Sequence, residues 1–228
     1  MTDTPAYKQL GFHYNPFGTL DEDQMLTVTV LCTEMEELLQ SSWDILEIIG
    51  DKGAGKTLYL HYLKHIYQQQ GLAVEYEHLE NPGQKVLGNY ASCRVFFLDE
   101  AQRARRRQLV RILGKTEKLV TATHESCRHL APSHRHFVSL SLGNPSLKVF
   151  RRIVIKRLDL ASAGQCDYSF PETLLQSWLN EAKNNLHIAE LIGYEWFQNI
   201  RCWDDMTPRS LERAALLLWR QAQILPAP

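Results

Sequence analysis

The octapeptide at residues 50–57 constrains the fold of this chain more than any other feature of its sequence. It reads Gly-Asp-Lys-Gly-Ala-Gly-Lys-Thr and matches the pattern G-x-x-x-x-G-K-[ST] in full. The largely apolar residues 43–49 before it predict a buried strand, and the helical spacing of residues 56–70 after it predicts a helix. A strand, a glycine-rich turn and a helix in this order favour a parallel sheet covered by helices on both faces.

Each residue type in the octapeptide suits the binding of phosphate groups. Glycines permit the backbone torsions that turn successive N–H groups toward one anion, and the following helix adds the positive end of its dipole. The Lys56 ammonium can reach the β- and γ-phosphates of a nucleotide, and the Thr57 hydroxyl can ligate Mg²⁺. We therefore expect a nucleoside triphosphate and Mg²⁺, with the nucleotide held by Gly50, Asp51, Lys52, Gly53, Ala54, Gly55, Lys56, Thr57 and Leu58.

A second apolar segment ends in two carboxylates. Residues 94–98 predict a buried strand, and Asp99 and Glu100 follow it directly. Because ligands of open α/β sheets bind at the carboxyl ends of the strands, both acids are expected near the octapeptide. There Asp99 is suited to bind Mg²⁺ together with Thr57, and Glu100 is suited to activate a water molecule as a general base. The alternative is that the pair caps a helix beginning at residue 101.

The order of predicted elements divides the chain into two domains. Residues 1–145 predict an α/β domain with further strands at residues 72–79, 118–123 and 137–142, and residues 1–42 are its N-terminal extension and helix. Residues 146–228 show only helical spacing, which predicts a small all-helical domain. Aromatic residues recur there among aliphatic ones, so we expect them in its core: Trp178, Trp196, Phe197, Trp203 and Trp219.

With these two motifs the chain resembles the AAA+ branch of the P-loop ATPases, and within it the ATPases of transposition regulators and of the general secretion A type. Those proteins also carry an Asn-Pro-Phe turn ahead of the P-loop, here Asn15-Pro16-Phe17. The resemblance implies ATP as the nucleotide and packing of Phe12, Tyr14 and Phe17 near the adenine. It also implies a five-stranded parallel sheet of the ASCE type, in which residues 118–123 lie between the P-loop strand and the Asp99 strand, followed by a helical lid.

Three further roles are implied by the resemblance alone. A polar residue at the end of the fourth strand senses the γ-phosphate in this family, and Thr123 or His124 occupies that place here. An arginine ahead of the fifth strand acts on the ATP of a neighbouring subunit, which implies a homo-oligomer and indicates Arg135, with Arg128 in reserve. Related lids carry an arginine where this chain has His187, whose shorter, mostly neutral side chain predicts slow turnover.

Charge is unevenly distributed along the chain, although its net charge is only −1. Residues 101–160 hold fourteen Lys or Arg against three acidic residues, whereas residues 1–50 hold one basic residue against nine acidic ones. Two sets of basic residues recur at helical spacing: Arg103, Arg107 and Arg111, then Lys148, Arg152 and Lys156. Helices at residues 103–111 and 148–156 are therefore candidates for binding DNA or RNA; the alternatives are solvated faces or contact with the acidic segment of a neighbour.

These observations together predict an ATPase that hydrolyses the β–γ phosphoanhydride slowly and uses it for self-assembly or control of a partner. Its catalytic residues are predicted to be Glu100, Lys56, Thr123, His124 and Arg135. One alternative is a nucleotide-dependent scaffold that binds nucleic acid with little turnover, and another is a P-loop phosphotransferase, which the position of Glu100 and the helical lid disfavour. Five scattered cysteines and the lack of a long apolar run predict a cytoplasmic protein without membrane insertion.

Overall fold

The computed structural model describes residues 4–162 and 170–224, with the backbone alone for residues 221–224. Three short 3-10 turns connect some of the elements, at Ala101–Arg103, Arg128–Leu130 and Trp203–Asp205. Within the described ranges the order of helices and strands is α1 (Ala6–Gln9), α2 (Glu22–Val28), α3 (Thr33–Leu39), β1 (Ile45–Gly50), α4 (Lys56–Gln69), β2 (Val74–His78), β3 (Val95–Asp99), α5 (Arg106–Lys115), β4 (Lys118–Thr123), β5 (Phe137–Leu142), α6 (Leu147–Ala161), α7 (Glu172–Glu181), α8 (Leu186–Asn199) and α9 (Pro208–Ile224).

The five strands form one sheet in which every strand runs parallel to its neighbours. Their order across the sheet is β2-β3-β4-β1-β5. The strand β4 thus lies between β1, which leads into the P-loop, and β3, which ends at Asp99, as expected. Because parallel strands end at a common edge, Gly50, Asp99 and Thr123 all lie along the carboxyl edge of the sheet.

Helices cover both faces of this sheet. Side chains of a strand alternate between its two faces, so neighbouring residues of β1 enter different cores. Leu46 packs in a core that includes Met35 of α3 and Leu60 of α4. Ile45 packs on the opposite face with Ile112 of α5. The helices α3 and α5 therefore lie on opposite faces of the sheet.

The described chain divides into two compact units whose boundary differs from the predicted one. The α/β unit is Leu31–Gly143, and the residues up to Val30 belong with the helices from Asn144 onward. The prediction placed the N-terminal segment with residues up to 145. The physical reason for the difference is aromatic packing: Phe12 lies 5.7 Å from Phe197 and Phe17 lies 5.1 Å from Trp178, measured between ring centroids.

Polar contacts hold the Asn15-Pro16-Phe17 turn within the helical unit. Asn15 donates a hydrogen bond to the Tyr194 carbonyl, and its side-chain oxygen accepts one from the Phe17 N–H, both at 3.0 Å. Arg157 donates to the Pro16 carbonyl at 3.2 Å. Phe12 and Phe17 are buried in this core, and Tyr14 donates to the Leu160 carbonyl, so these rings pack within the helical unit; their packing near adenine stays a prediction.

The core of the helical unit is aromatic, as the sequence predicts. Trp178, Trp196 and Phe197 are fully buried, and the two tryptophan rings meet edge to face at 5.2 Å. Trp219 packs against this core while partly exposed. The prediction that Trp203 lies in the core is wrong, because this side chain is exposed although its ring contacts Phe12. In the ranges that the structure describes, no helix has both the length and the apolar character required to span a bilayer.

Candidate functional site

The loop between β1 and α4 has the backbone geometry that the octapeptide pattern requires. Gly53 and Gly55 have φ angles of 87° and 90°, in the left-handed region that favours glycine. Gly50 is required for space, because a Cβ there would lie 2.9 Å from the Leu142 carbonyl oxygen. No side chain caps the N-terminus of α4, so the positive end of this helix faces the loop.

Lys56 lies buried in this loop. Its ammonium donates hydrogen bonds to the carbonyls of Gly50 at 2.7 Å and Asp51 at 3.0 Å. Burial lowers the pKa of Lys56, and this effect is partly offset by the negative charges of Glu100, Asp99 and Asp51. The cation is therefore near Asp99, at the end of β3, and Glu100, which follows it, as the prediction requires.

The two residues predicted to bind Mg²⁺ are in direct contact. Thr57 Oγ1 donates a hydrogen bond of 2.8 Å to Oδ2 of Asp99, which is fully buried at the end of β3. Neighbouring oxygen ligands of an octahedral Mg²⁺ lie about 2.9 Å apart, because each metal–oxygen distance is about 2.0–2.1 Å. The spacing and the oxygen chemistry of this pair therefore fit a magnesium ion.

Two residues of β2 contact the same carboxylate, and the sequence analysis did not single them out. The Tyr76 hydroxyl donates to Asp99 Oδ2, and His78 Nδ1 lies near the same oxygen, each at 3.2 Å. Burial raises the pKa of Tyr76, and the charge of Asp99 raises it further. The signal was their spacing of two along a predicted strand, but it needed the pairing of β2 with β3, which places His78 opposite Asp99.

Glu100 follows β3 in a left-handed conformation, with φ at 59°. This backbone state costs a non-glycine residue of the order of 1 kcal/mol and often marks a functional position. The Glu100 carboxylate, 14% exposed, lies 3.1 Å from Arg103 Nε and 3.4 Å from His124 Nε2. It does not cap the 3-10 turn Ala101–Arg103, so the capping alternative is not realised.

The two candidate sensors at the end of β4 have different surroundings. Thr123 is buried, and its hydroxyl donates a 2.7 Å hydrogen bond to the Glu125 carbonyl, which shapes the loop that follows. His124 is partly exposed and its ring contacts Glu100. Of the two residues, His124 is therefore the one that reaches the acid pair.

A buried acid inside β1 fixes the loop that follows β4, and the sequence analysis missed it as well. The Glu47 carboxylate accepts hydrogen bonds from the Cys127 N–H at 2.6 Å and from the hydroxyls of Ser126 at 2.8 Å and Ser139 at 3.1 Å. Burial raises the pKa of the Cys127 thiol, and Glu47 adds to this effect. The available signal was a single acid within an otherwise apolar strand.

The structure gives Arg135 a bracing position that differs from the expected role in a neighbour's site. Its guanidinium donates to the carbonyls of Thr116 at 2.6 Å, Glu117 at 3.0 Å and Asp44 at 3.4 Å, and its side chain is 10% exposed. These partners precede β4 and β1, so Arg135 lies at the amino edge of the sheet, opposite the P-loop. The reserve candidate Arg128 is exposed, with its guanidinium 5.8 Å from the centre of the Phe137 ring.

This difference predicts distinct effects on stability for the two arginines. Replacing Arg135 by alanine should lower the free energy of unfolding by about 2–3 kcal/mol, because three backbone carbonyls lose their charged donor. Replacing Arg128 by alanine should change it by less than about 0.5 kcal/mol, because that side chain is exposed. Urea unfolding of both variants measures this difference. Equal stability of the two variants would contradict the bracing position of Arg135.

The two predicted basic helices are realised only in part. The segment 103–111 is not one helix, because Arg103 lies in the 3-10 turn and α5 begins at Arg106. Arg103 donates to the carbonyls of Leu79 and Glu80 in addition to its contact with Glu100. In α6, Lys156 donates to the carbonyls of two residues at the end of α2, Thr27 and Thr29, whereas Lys148 and Arg152 are exposed. His187 is exposed in the first turn of α8.

The parallel sheet of order β2-β3-β4-β1-β5 and the glycine-rich loop after β1 have the fold of the AAA+ P-loop ATPases. Among solved structures, the chain is similar to the ORC1 protein of Aeropyrum pernix in complex with DNA, with a TM-score of 0.61, 14% identity, and coverage of 90% of this chain and 72% of that one. It is similar to AMPPCP-bound DnaA from Aquifex aeolicus, with a TM-score of 0.57, 16% identity, and coverage of 89% and 72%. It is also similar to the RuvB Holliday junction branch migration motor of Thermotoga maritima, with a TM-score of 0.55, 17% identity, and coverage of 88% and 70%. No protein-family model matches the chain, and no curated protein matches it.

Proposed function

We propose that the protein binds Mg²⁺ and ATP and hydrolyses the β–γ phosphoanhydride of the nucleotide. The observation that carries this proposal is the 2.8 Å contact between Thr57 Oγ1 and Asp99 Oδ2. Lys56 is buried beside this pair, and Glu100 follows Asp99 directly in the chain. The similarity to a DnaA structure that holds AMPPCP supports a nucleoside triphosphate as the ligand.

Each residue of the site has a separate task in this proposal. The backbone N–H groups of residues 50–57 and the Lys56 ammonium bind the phosphates and balance their charge. Thr57 and Asp99 would hold Mg²⁺, which would neutralise negative charge on the phosphates. Glu100 accepts the proton of the attacking water, and His124, through its contact with Glu100, orients that carboxylate.

Hydrolysis serves self-assembly or the control of a partner in this proposal. Arg128 is exposed and is the better candidate for acting on the ATP of a neighbouring copy, because Arg135 is committed to three carbonyls. The histidine at position 187, where related lids carry arginine, supports slow turnover. We place the protein in the cytoplasm, in keeping with its scattered cysteines.

A second candidate function is a nucleotide-dependent scaffold on nucleic acid. It is favoured by the exposed basic residues of α5 and by the similarity to an ORC1 structure in complex with DNA. A phosphotransferase is disfavoured, because a second carboxylate directly after Asp99 suits the activation of water more than the transfer of phosphate to another acceptor.

Incubation of the full chain with Mg²⁺ and ATP labelled on the γ-phosphate distinguishes these functions. We expect ADP and inorganic phosphate in equal amounts without any added acceptor, and no product when EDTA removes Mg²⁺. Tight ATP binding without phosphate release would favour the scaffold. Label that leaves ATP only when an acceptor is added would favour the phosphotransferase, and no ATP binding would refute the proposal.

A further inference from the structure

A basic exposed surface of the α/β unit is formed by α5 and the loop at residues 81–92, and we call it the α5 surface. Neither segment contains an aspartate or a glutamate. Helix α5 begins with basic residues and has no acidic residue in its first turn, so its dipole adds to the positive potential there. The exposed cations of this surface are Lys85, Arg105, Arg106, Arg107, Arg111 and Lys115.

Hydrogen bonds join the loop and the helix into one surface. The Gln108 amide of α5 donates to the Val86 carbonyl at 2.6 Å and accepts from the Val86 N–H at 2.9 Å. Arg105 Nε donates to the Gly83 carbonyl at 2.9 Å. On the other side of the loop, the Glu77 carboxylate accepts from the Gly88 N–H at 2.7 Å. The position of Lys85 relative to α5 is therefore fixed by its neighbours in the loop.

Five of these cations have no side-chain hydrogen bond or ion pair with another described residue. They are Lys85, Arg106, Arg107, Arg111 and Lys115. Other basic residues of the same unit are engaged: Arg94 pairs with Glu117 at 2.7 Å, and Arg103 pairs with Glu100. The charge on the α5 surface is therefore available to an external anion.

The arrangement of these charges favours an extended polyanion. Arg107, Arg111 and Lys115 occupy successive turns of α5, which spaces them about 6 Å apart along the helix axis. Arginine suits phosphate, because its planar fork can donate two hydrogen bonds to one phosphate group. Two apolar side chains are exposed within the same surface, Leu87 at 77% and Val110 at 42%, and they can contact sugars or bases.

We propose that the α5 surface binds the sugar–phosphate backbone of a nucleic acid without reading its sequence. This deepens the proposed function by naming the partner and the surface that binds it. It also separates the two predicted basic helices by the number of exposed cations that each retains. In α6, Lys156 donates to backbone carbonyls and Lys148 and Arg152 stay exposed, whereas the α5 surface retains five exposed cations without a side-chain partner among the described residues.

The test measures binding of the full chain to fluorescently labelled single-stranded and duplex DNA as salt rises from about 50 to 200 mM. We expect a steep linear loss of log affinity with log salt for the wild type. In the combined variant Arg106→Ala, Arg107→Ala and Arg111→Ala, the affinity should fall at least about tenfold and the magnitude of the slope by about 2–3. The matched control is Lys148→Ala with Arg152→Ala on α6, for which affinity and slope should remain those of the wild type.

Three outcomes would overturn the inference. The wild type could fail to bind either DNA, the α5 variant could keep the wild-type slope, or the α6 control could show the larger loss. If the α5 variant instead lost self-association in light scattering with DNA binding intact, the surface would be a contact between copies. Titration of every variant with ATP keeps the two proposals apart: loss of DNA binding with normal ATP uptake supports the α5 surface, and failure of ATP uptake in the wild type counts only against the proposed function.

Discussion

Replacing Glu100 by glutamine is expected to slow ATP hydrolysis by about 10²- to 10⁴-fold while ATP still binds. Glutamine keeps the size of the side chain but cannot accept the proton of the attacking water. The left-handed backbone at position 100 is equally accessible to both residues, so the loop should keep its conformation. Single-turnover hydrolysis measured by rapid quenching isolates the chemical step from product release.

The control for this variant is Glu80→Gln, which removes an exposed carboxylate near the same turn. Its hydrolysis rate should match that of the wild type. Retention of full hydrolysis in Glu100→Gln would show that another group activates water. Loss of ATP binding in the same variant would mean that Glu100 shapes the phosphate site instead of the reaction.

Replacing Lys56 by alanine is expected to weaken ATP binding by about a hundredfold, since the lost charge-assisted contacts to phosphate are worth about 3 kcal/mol. The fold should persist, because burial already lowers the pKa of Lys56 and its removal relieves that desolvation. Calorimetric titration with ATP and Mg²⁺ measures the change.

Two further variants make the effect of Lys56 specific. Lys56→Arg keeps the charge, but its wide guanidinium does not fit the position between the Gly50 and Asp51 carbonyls, so affinity should also fall. Lys148→Ala removes an exposed cation elsewhere and should bind ATP normally. Unchanged affinity in Lys56→Ala would contradict the proposed role of the loop.

Much of the α/β unit was predictable from residue patterns. Apolar segments followed by glycine or by acidic residues predicted strands. Because ligands bind at the carboxyl ends of parallel strands, the sequence also predicted that Thr57 lies close to Asp99, as the structure shows. The sheet order came from the family resemblance, because strand patterns alone do not specify neighbours. Tyr76 and His78 were missed for that reason, since their contact with Asp99 depends on which strand lies beside β3.

Other differences arise from contacts that a local pattern does not contain. The predicted helix at residues 103–111 is interrupted because Ala104 adopts an extended conformation and forms a bridge with Gln84 of the preceding loop. Arg135 stands at the predicted position along the chain, but the direction of its side chain is set by carbonyls ahead of two other strands. Tertiary contacts therefore override the local helical spacing at Ala104. They also override the side-chain direction that the family resemblance implies for Arg135.

The division of the chain also bears on how it is made. Phe17 packs against Trp178, about 160 residues further along the chain, so the first aromatic segment leaves the ribosome long before its partner exists. The α/β unit, Leu31–Gly143, can assemble during that interval, because its own strands and helices are contiguous. A fragment that ends near residue 145 would leave Phe12 and Phe17 exposed to water. A fragment intended to isolate the phosphate-binding loop should therefore begin at Leu31.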